Sequence, residues 1–144
     1  QDLVGGTGMK AMHGVEPLEV RGTRLAGCGG PFEGDYARAL ARVPSDAFVI
    51  FLYHTPDLIR EPEVQKADLY CAGHTHGGQV CLPFYGALVT FSKYGKAYES
   101  GLHAHGKCRL YVSRGLGMEG GWAPRVRFAC RPEIAVLELV PEGG

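Results

Sequence analysis

The stretch Asp68-Leu69-Tyr70-Cys71-Ala72-Gly73-His74-Thr75-His76-Gly77-Gly78 decides how the chain reads: a short apolar run that breaks into a glycine-bounded turn carrying two histidines. Apolar residues in an unbroken run are the pattern of a strand buried inside a sheet, and the glycines beyond it end the strand. Upstream, Ala47-Phe48-Val49-Ile50-Phe51-Leu52-Tyr53 is a longer run of the same kind, rich in β-branched and aromatic residues, and it leads straight into His54. It predicts a strand buried on both faces. Two such strands place His54, His74 and His76 beyond strand carboxyl ends, where ligands of α/β sheets collect. One residue apart on an extended or turning backbone, His74 and His76 point the same way, and the flanking glycines let the main chain bend closely around an ion. Neutral imidazole is a ligand for Zn, Fe, Mn and Ni. The competing reading of an isolated His-x-His is a solvated loop.

Outward from these runs, Leu18 and Val20 alternate before Arg21-Gly22-Thr23, and Leu25 resumes after it, which predicts a hairpin. Asp35 stands as a cap before Tyr36, Ala39, Leu40 and Val43 at helical spacing, predicting one short helix ended near Pro44. Asp57 to Lys66 predicts turns or a short helix. Gln79 to Phe91 and Tyr98 to Ser113 predict further strands, the second broken at a hairpin tip around His103-Ala104-His105-Gly106. After a Gly-rich loop, Ser113 to Gly121, and the segment Arg125 to Cys130, Glu133 to Val140 alternates as a closing strand. The tally is mostly β with one or two helices, α/β overall.

Composition narrows the function classes. Over 144 residues, 15 Lys+Arg balance 15 Asp+Glu, and the pI of about 7.2 offers no field for a polyanionic backbone. General nucleic-acid binding is therefore not expected. No run approaches the roughly 18 to 20 apolar residues that cross a bilayer, so no transmembrane segment is expected in the chain, which reads as soluble. Gln1-Asp2-Leu3-Val4-Gly5-Gly6 lacks the features of a signal peptide and is compatible with a cut end. Five cysteines, odd in number and without a Cys-x-x-Cys pair, argue against a complete disulfide framework and for reduced thiols in a cytoplasmic compartment.

Several motifs then occur in order: Leu52-Tyr-His-Thr-Pro-Asp57, Ala67-Asp-Leu-Tyr-Cys-Ala-Gly-His-Thr-His-Gly-Gly-Gln-Val80, Leu82-Pro-Phe84, Tyr111-Val-Ser-Arg-Gly-Leu-Gly117 and Arg131-Pro-Glu-Ile-Ala-Val-Leu-Glu-Leu139. From about Leu18 to Val140 the chain resembles the C-terminal half of the calcineurin-like metallophosphoesterases, in particular the bacterial branch with the GHTHGGQV signature. The resemblance implies a β-sandwich flanked by helices, and a phosphoester hydrolase of phosphodiesterase or pyrophosphatase type with a two-metal site. It assigns His54 and His74 to one divalent metal and His76 to the other, with Mn, Fe, Zn or Ni as candidates and the three histidines as the catalytic set. Two cations about 3.5 to 4 Å apart clamp the attacking and leaving oxygens and activate a bridging water. The implied partner is a phosphoester small-molecule or lipid-like substrate. Neither its identity nor the oligomeric state is legible.

The family also needs, earlier in its chain, DxH, GD and GNH motifs, and these are not in the sequence. On this reading residues 1–144 are one domain, the C-terminal half of the family's domain, and the chain by itself is expected to lack activity. Gly34-Asp35 spells GD, but its position matches the helix that follows those motifs, so Asp35 reads as a helix cap. Members of the branch often carry an N-terminal membrane segment or export signal, which leaves membrane association through a segment upstream of Gln1 open. The rival class is a complete, non-catalytic metal-binding or interaction module derived from the same fold. A third reading joins Cys71, His74, His76 and Cys81 in a structural zinc site.

Four further assignments complete the reading. Arg114, in a Gly-rich loop after a strand, is a candidate phosphate-binding residue, with a surface arginine as the alternative. His103 and His105 read as solvated hairpin residues. Thr75 and Gln79 are candidates to orient metal-bound imidazoles. Trp122, Tyr85, Phe91, Tyr94 and Tyr98 either line an entrance for a lipid-like or aromatic substrate or simply pack, and packing is the favoured reading.

Overall fold

The structure is a computed structural model in which residues 3–4, 9–10, 18–21, 23–27, 35–120 and 125–140 are described. Its centre is a six-stranded mixed sheet. Strands β3 (Leu18–Val20) and β4 (Thr23–Gly27) follow a two-residue-strand ribbon, β1 (Leu3–Val4) with β2 (Met9–Lys10). Helix α1 (Asp35–Ala41) leads to β5 (Val49–Leu52) and β6 (Leu69–Ala72), then come β7 (Cys81–Leu82), β8 (Gly86–Ala87), β9 (Gly101–His105) and β10 (Cys108–Val112). The order across the sheet is β3-β4-β5-β6-β10-β9. The inner four strands run parallel, and each edge strand is antiparallel to its neighbour.

Parallel neighbours require crossovers, and the chain supplies them with α1 between β4 and β5 and with two 3-10 turns, Pro56–Leu58 and Val64–Lys66, between β5 and β6. These elements cover one face of the sheet. Ala26, Val49, Phe51, Tyr70, Leu110 and Val112 from the strands join Leu40, Leu58, Ile59 and Val64 in a single buried cluster, with the rings of Phe51 and Tyr70 tilted at 5.0 Å between centroids. Fully burying side chains of this size stabilises by about 1.5 to 3 kcal/mol each before the conformational-entropy cost. The Tyr70 hydroxyl satisfies itself on the Thr55 carbonyl.

The predicted hairpin is present, pairing Leu18 with Leu25 and Val20 with Thr23. So is the second, in which β9 and β10 flank Gly106-Lys107. Helix α1 begins at Asp35, as the capping pattern required, although the Asp35 side chain lies outside the described residues. Three expectations need correction. β5 is buried on one face rather than two: Val49 and Phe51 point into the cluster, whereas Ile50 is half-buried and Leu52 exposed. Gln79 to Phe91 yields only the dipeptide strands β7 and β8, because Pro83 and a run of positive φ angles at Phe84 and Gly86 turn the chain back at once. Glu133 to Val140 forms no strand, since no described strand edge lies beside it to complete a ladder. No helix among the described residues is long and apolar enough to cross a membrane.

Candidate functional site

The register of the parallel strands decides what meets at the carboxyl edge. Leu52 lies beside Cys71, and Ala72 beside Val112, so the segments beyond β5, β6 and β10 leave the sheet side by side. Backbone bonds extend the ladder past the strand ends: Tyr53 N–H to the Cys71 carbonyl at 3.2 Å, Gly73 N–H to the His54 carbonyl at 3.0 Å, and Ser113 N–H to the Ala72 carbonyl at 2.9 Å. His54 and His74 are thereby neighbours, their rings 4.7 Å apart between centroids and inclined by 57°. Desolvation, then the adjacent His74 ring, lowers the His54 pKa from its ordinary value, against an opposing pull from Glu119. Both influences favour the neutral imidazole, the form that ligates a metal.

The loop after β6 is held in a strained conformation. His74, His76 and Gln79 have φ of 67°, 49° and 54°, and Gly77 and Gly78 are also left-handed. Non-glycine residues there cost on the order of 1 to 3 kcal/mol each and persist only where surrounding bonds over-determine them. Here Thr75 is the buried brace. Its hydroxyl donates to the Glu99 carbonyl at 2.8 Å and accepts the Gly77 N–H at 3.3 Å, while Gly78 N–H bonds the Thr75 carbonyl at 2.7 Å. Buried Gln79 accepts the Glu119 N–H through its side-chain oxygen. Thr75 therefore braces the loop backbone, and the Gln79 side-chain oxygen ties the loop to the Glu119 main chain. The glycines are steric necessities: a Cβ on Gly77 would sit 2.6 Å from Arg114 Cγ and 2.7 Å from Cys130 Sγ, and one on Gly78 would sit 2.3 Å from Ala87 Cβ.

His76 is flanked by Glu119 and Arg127. Its Nε2 is 4.0 Å from the Glu119 carboxylate and its Nδ1 is 3.5 Å from Arg127 Nη2. Arg127, which the sequence reading passed over, is the centre of this side of the site. Its guanidinium donates to the carbonyls of His76 at 3.1 Å, Arg114 at 2.7 Å, Gly115 at 3.1 Å and Gly117 at 2.5 Å. An irregular Gly-rich loop leaves carbonyls without ladder partners, and the five donors of one arginine can satisfy several at once. That need was the signal available in the sequence; which arginine would meet it was not.

Arg114 lies at the end of β10, half-buried. Its Nε donates to Glu133 Oε2 at 2.8 Å, and the Tyr111 hydroxyl donates to Glu133 Oε1 at 2.6 Å. Burial works to raise the Glu133 pKa, but the bonds from Tyr111 and Arg114 outweigh it and hold the carboxyl low. The same bond to Glu133, reinforced by burial, pushes Tyr111 up to about 12. With Gly77, Cys81, Glu99 and Cys130, Arg114 lines an open cavity of about 280 Å³. A larger cavity of about 490 Å³, lined by Leu40, Pro44, Val49, Ala67 and Lys107, lies at the opposite, amino-terminal edge of the strands and contains none of the candidate residues.

Among the described residues no three or more His, Cys, Asp or Glu side chains form a group that could hold a metal ion. The structural zinc reading fails on this point: the Cys81 thiol is turned onto the Gly77 carbonyl at 3.1 Å, and Cys71 stays within β6. His54 and His74 do fit the start of a divalent-ion site, being two adjacent imidazoles at a strand-end edge. His103 belongs to the hairpin: its Nε2 is 3.0 Å from the Ser100 carbonyl and its ring stands edge-on to Tyr98. Tyr94 and Tyr98 pack together, whereas Tyr85 is exposed beneath the Lys96 ammonium. Trp122 lies outside the described residues.

No family model matches the chain, and no solved structure matches it. Curated proteins do. It is 42% identical over 105 residues to the metallophosphoesterase YkuE of Bacillus subtilis, a match covering 73% of this chain and 35% of that protein. It is 38% identical to the phosphodiesterase YaeI of Escherichia coli over 63% of this chain and 32% of the relative. With the UDP-2,3-diacylglucosamine pyrophosphatase LpxG of Chlamydia muridarum it shares 35% identity over 65% of this chain and 29% of the relative. The chain thus spans about a third of the length of the curated relatives it matches.

Proposed function

Because the chain belongs to the calcineurin-like metallophosphoesterase family, we propose that it carries the C-terminal metal ligands of a two-metal phosphoester hydrolase, of phosphodiesterase or pyrophosphatase type. The observation that carries the reading is the juxtaposition of His54 and His74 at the carboxyl edge of the parallel strands, with His76 two residues further on in the same strained loop. His54 and His74 would hold one divalent ion and His76 the other. Such ions polarise phosphoryl oxygens and activate water at neutral pH.

The chain's own residues prepare the site for that chemistry. Neutral imidazoles bind cations without cancelling their charge, which leaves attraction for a phosphate. Arg127 and Thr75 hold the main chain of the loop, so that the imidazoles keep their places without help from substrate. Arg114, steadied by Glu133, is the proposed phosphate-facing cation. A lipid-like phosphoester is a fitting substrate class: Leu82, Phe84 and Tyr85 stand exposed on the β7–β8 turn, and one relative is named for a diacylglucosamine nucleotide.

The test is hydrolysis of a nitrophenyl phosphodiester with Mn²⁺ by a protein in which the DxH, GD and GNH motifs precede this chain. His74→Ala is expected to lower turnover by more than the roughly 10- to 100-fold that loss of a ligand-supporting group costs. Equal turnover by the variant would reject the assignment. A second reading is the non-catalytic metal-binding or interaction module, and the lack of a three-residue ligand group among the described residues favours its interaction form. It predicts at most one bound metal and no hydrolysis by the chain alone, and turnover by its folded monomer would exclude it.

A further inference from the structure

Cys81 and Cys130 are far apart in sequence and meet at one oxygen. Cys81 Sγ donates to the Gly77 carbonyl at 3.1 Å, and Cys130 Sγ lies 3.3 Å from the same carbonyl and 3.1 Å from that of His76. The main chain brings them there. Val80 bridges Phe128 in parallel, Cys81 N–H bonds the Phe128 carbonyl at 2.9 Å, and the left-handed Ala129, φ 51°, redirects the chain just before Cys130. Both residues line the cavity of about 280 Å³ described above, which gives a small reagent a route to them. Neither thiol is used by the proposed hydrolytic site, and both are free.

We propose that Cys81 and Cys130 form a reversible thiol–disulfide pair that couples the oxidation state of the chain to the turn carrying His76. The oxidant is a small disulfide such as oxidised glutathione. Two S–H bonds and one S–S bond break, the Cys81–Cys130 S–S bond forms, and the two protons and two electrons leave as two molecules of the reduced thiol. Oxidation removes the very protons that cap the Gly77 and His76 carbonyls, so the turn loses two bonds as β7 becomes tied to the Arg127 segment. The metal reading is not needed for any of this.

The experiment treats the full chain with excess oxidised glutathione to completion, since burial together with Cys130 raises the Cys81 pKa to about 11 and makes the exchange slow. The expected result is a loss of two hydrogens in intact mass, a mapped peptide joining residues 81 and 130, and no such link in Cys81→Ser. Thiols that stay free, stable glutathione adducts at either position, or a link from either to Cys28, Cys71 or Cys108 would overturn the pairing. The coupling is read separately, from amide hydrogen exchange at Gln79, whose N–H bonds the His76 carbonyl at 3.2 Å. A several-fold change on oxidation is expected, and identical exchange in the two states overturns the coupling.

Discussion

Arg127 replaces, with one side chain, the hydrogen bonds that a sheet would have given to four loop carbonyls. On the proposed two-metal reading, Arg127→Ala in the protein that also carries the DxH, GD and GNH motifs is therefore expected to weaken Mn²⁺ binding by roughly 10- to 100-fold, the cost typical of losing a group that orients a ligand. Arg127→Lys should recover only part of that, because an ammonium cannot reproduce a planar fork of donors. Calorimetric titration of the three proteins checks both, and full recovery by lysine would show that charge alone matters. Gly77 is the second test at this scale. Gly77→Ala meets a left-handed backbone and three close heavy atoms of Arg114 and Cys130, and should cost about 2 kcal/mol or more, measured by urea unfolding. The strand-end placement of His74 and His76 was legible because glycine-bounded histidines after an apolar run are visible locally. The role of Arg127 was not, because its carbonyl partners come from residues 10 to 51 positions away.

Among the elements, the link between β10 and the C-terminal segment is electrostatic. Glu133 receives Tyr111 and Arg114, and the two shifted groups set opposite limits. The Glu133 carboxyl is held low, so it contributes stability above its unfolded pKa, and that contribution is lost as pH falls through the folded value. Tyr111 is raised to about 12, so its contribution is complete below about 10, the unfolded value, and is lost as pH rises through about 12. Glu133→Gln should flatten both limbs of a stability–pH profile recorded by thermal unfolding; an unaltered profile would mean the contact is not maintained in solution. The two hairpins and α1 could be read from alternation, turn residues and spacing, since each is closed by neighbours in sequence. β7 and β8 came out shorter than their apolar run suggested because Pro83 and the turn after it leave no room for a ladder.

At the scale of the whole molecule, one face of the sheet is packed, and the C-terminal segment has no partner strand among the described residues. Ile134, Val136 and Val140 are 79%, 92% and 73% exposed, which decides that their alternation is not satisfied by a described neighbour. Val136→Thr is accordingly expected to change the unfolding free energy of this chain by less than about 0.5 kcal/mol, as at other exposed positions. A larger loss in urea would place Val136 in a packed interface. By itself, the sequence determined the α/β class, the family, the two hairpins, the helix and the strand-end positions of His54, His74 and His76. These rest on local periodicity, glycine placement and contiguous motifs, which act within a few residues and leave their mark in order along the chain. Only the tertiary structure decided that His54 stands beside His74 while His76 turns to Arg127, that Glu133 steadies Arg114, and that Cys81 meets Cys130. Those depend on which strand edges lie side by side and on where a loop is bent against its preference, and both are properties of packed chain segments distant in sequence.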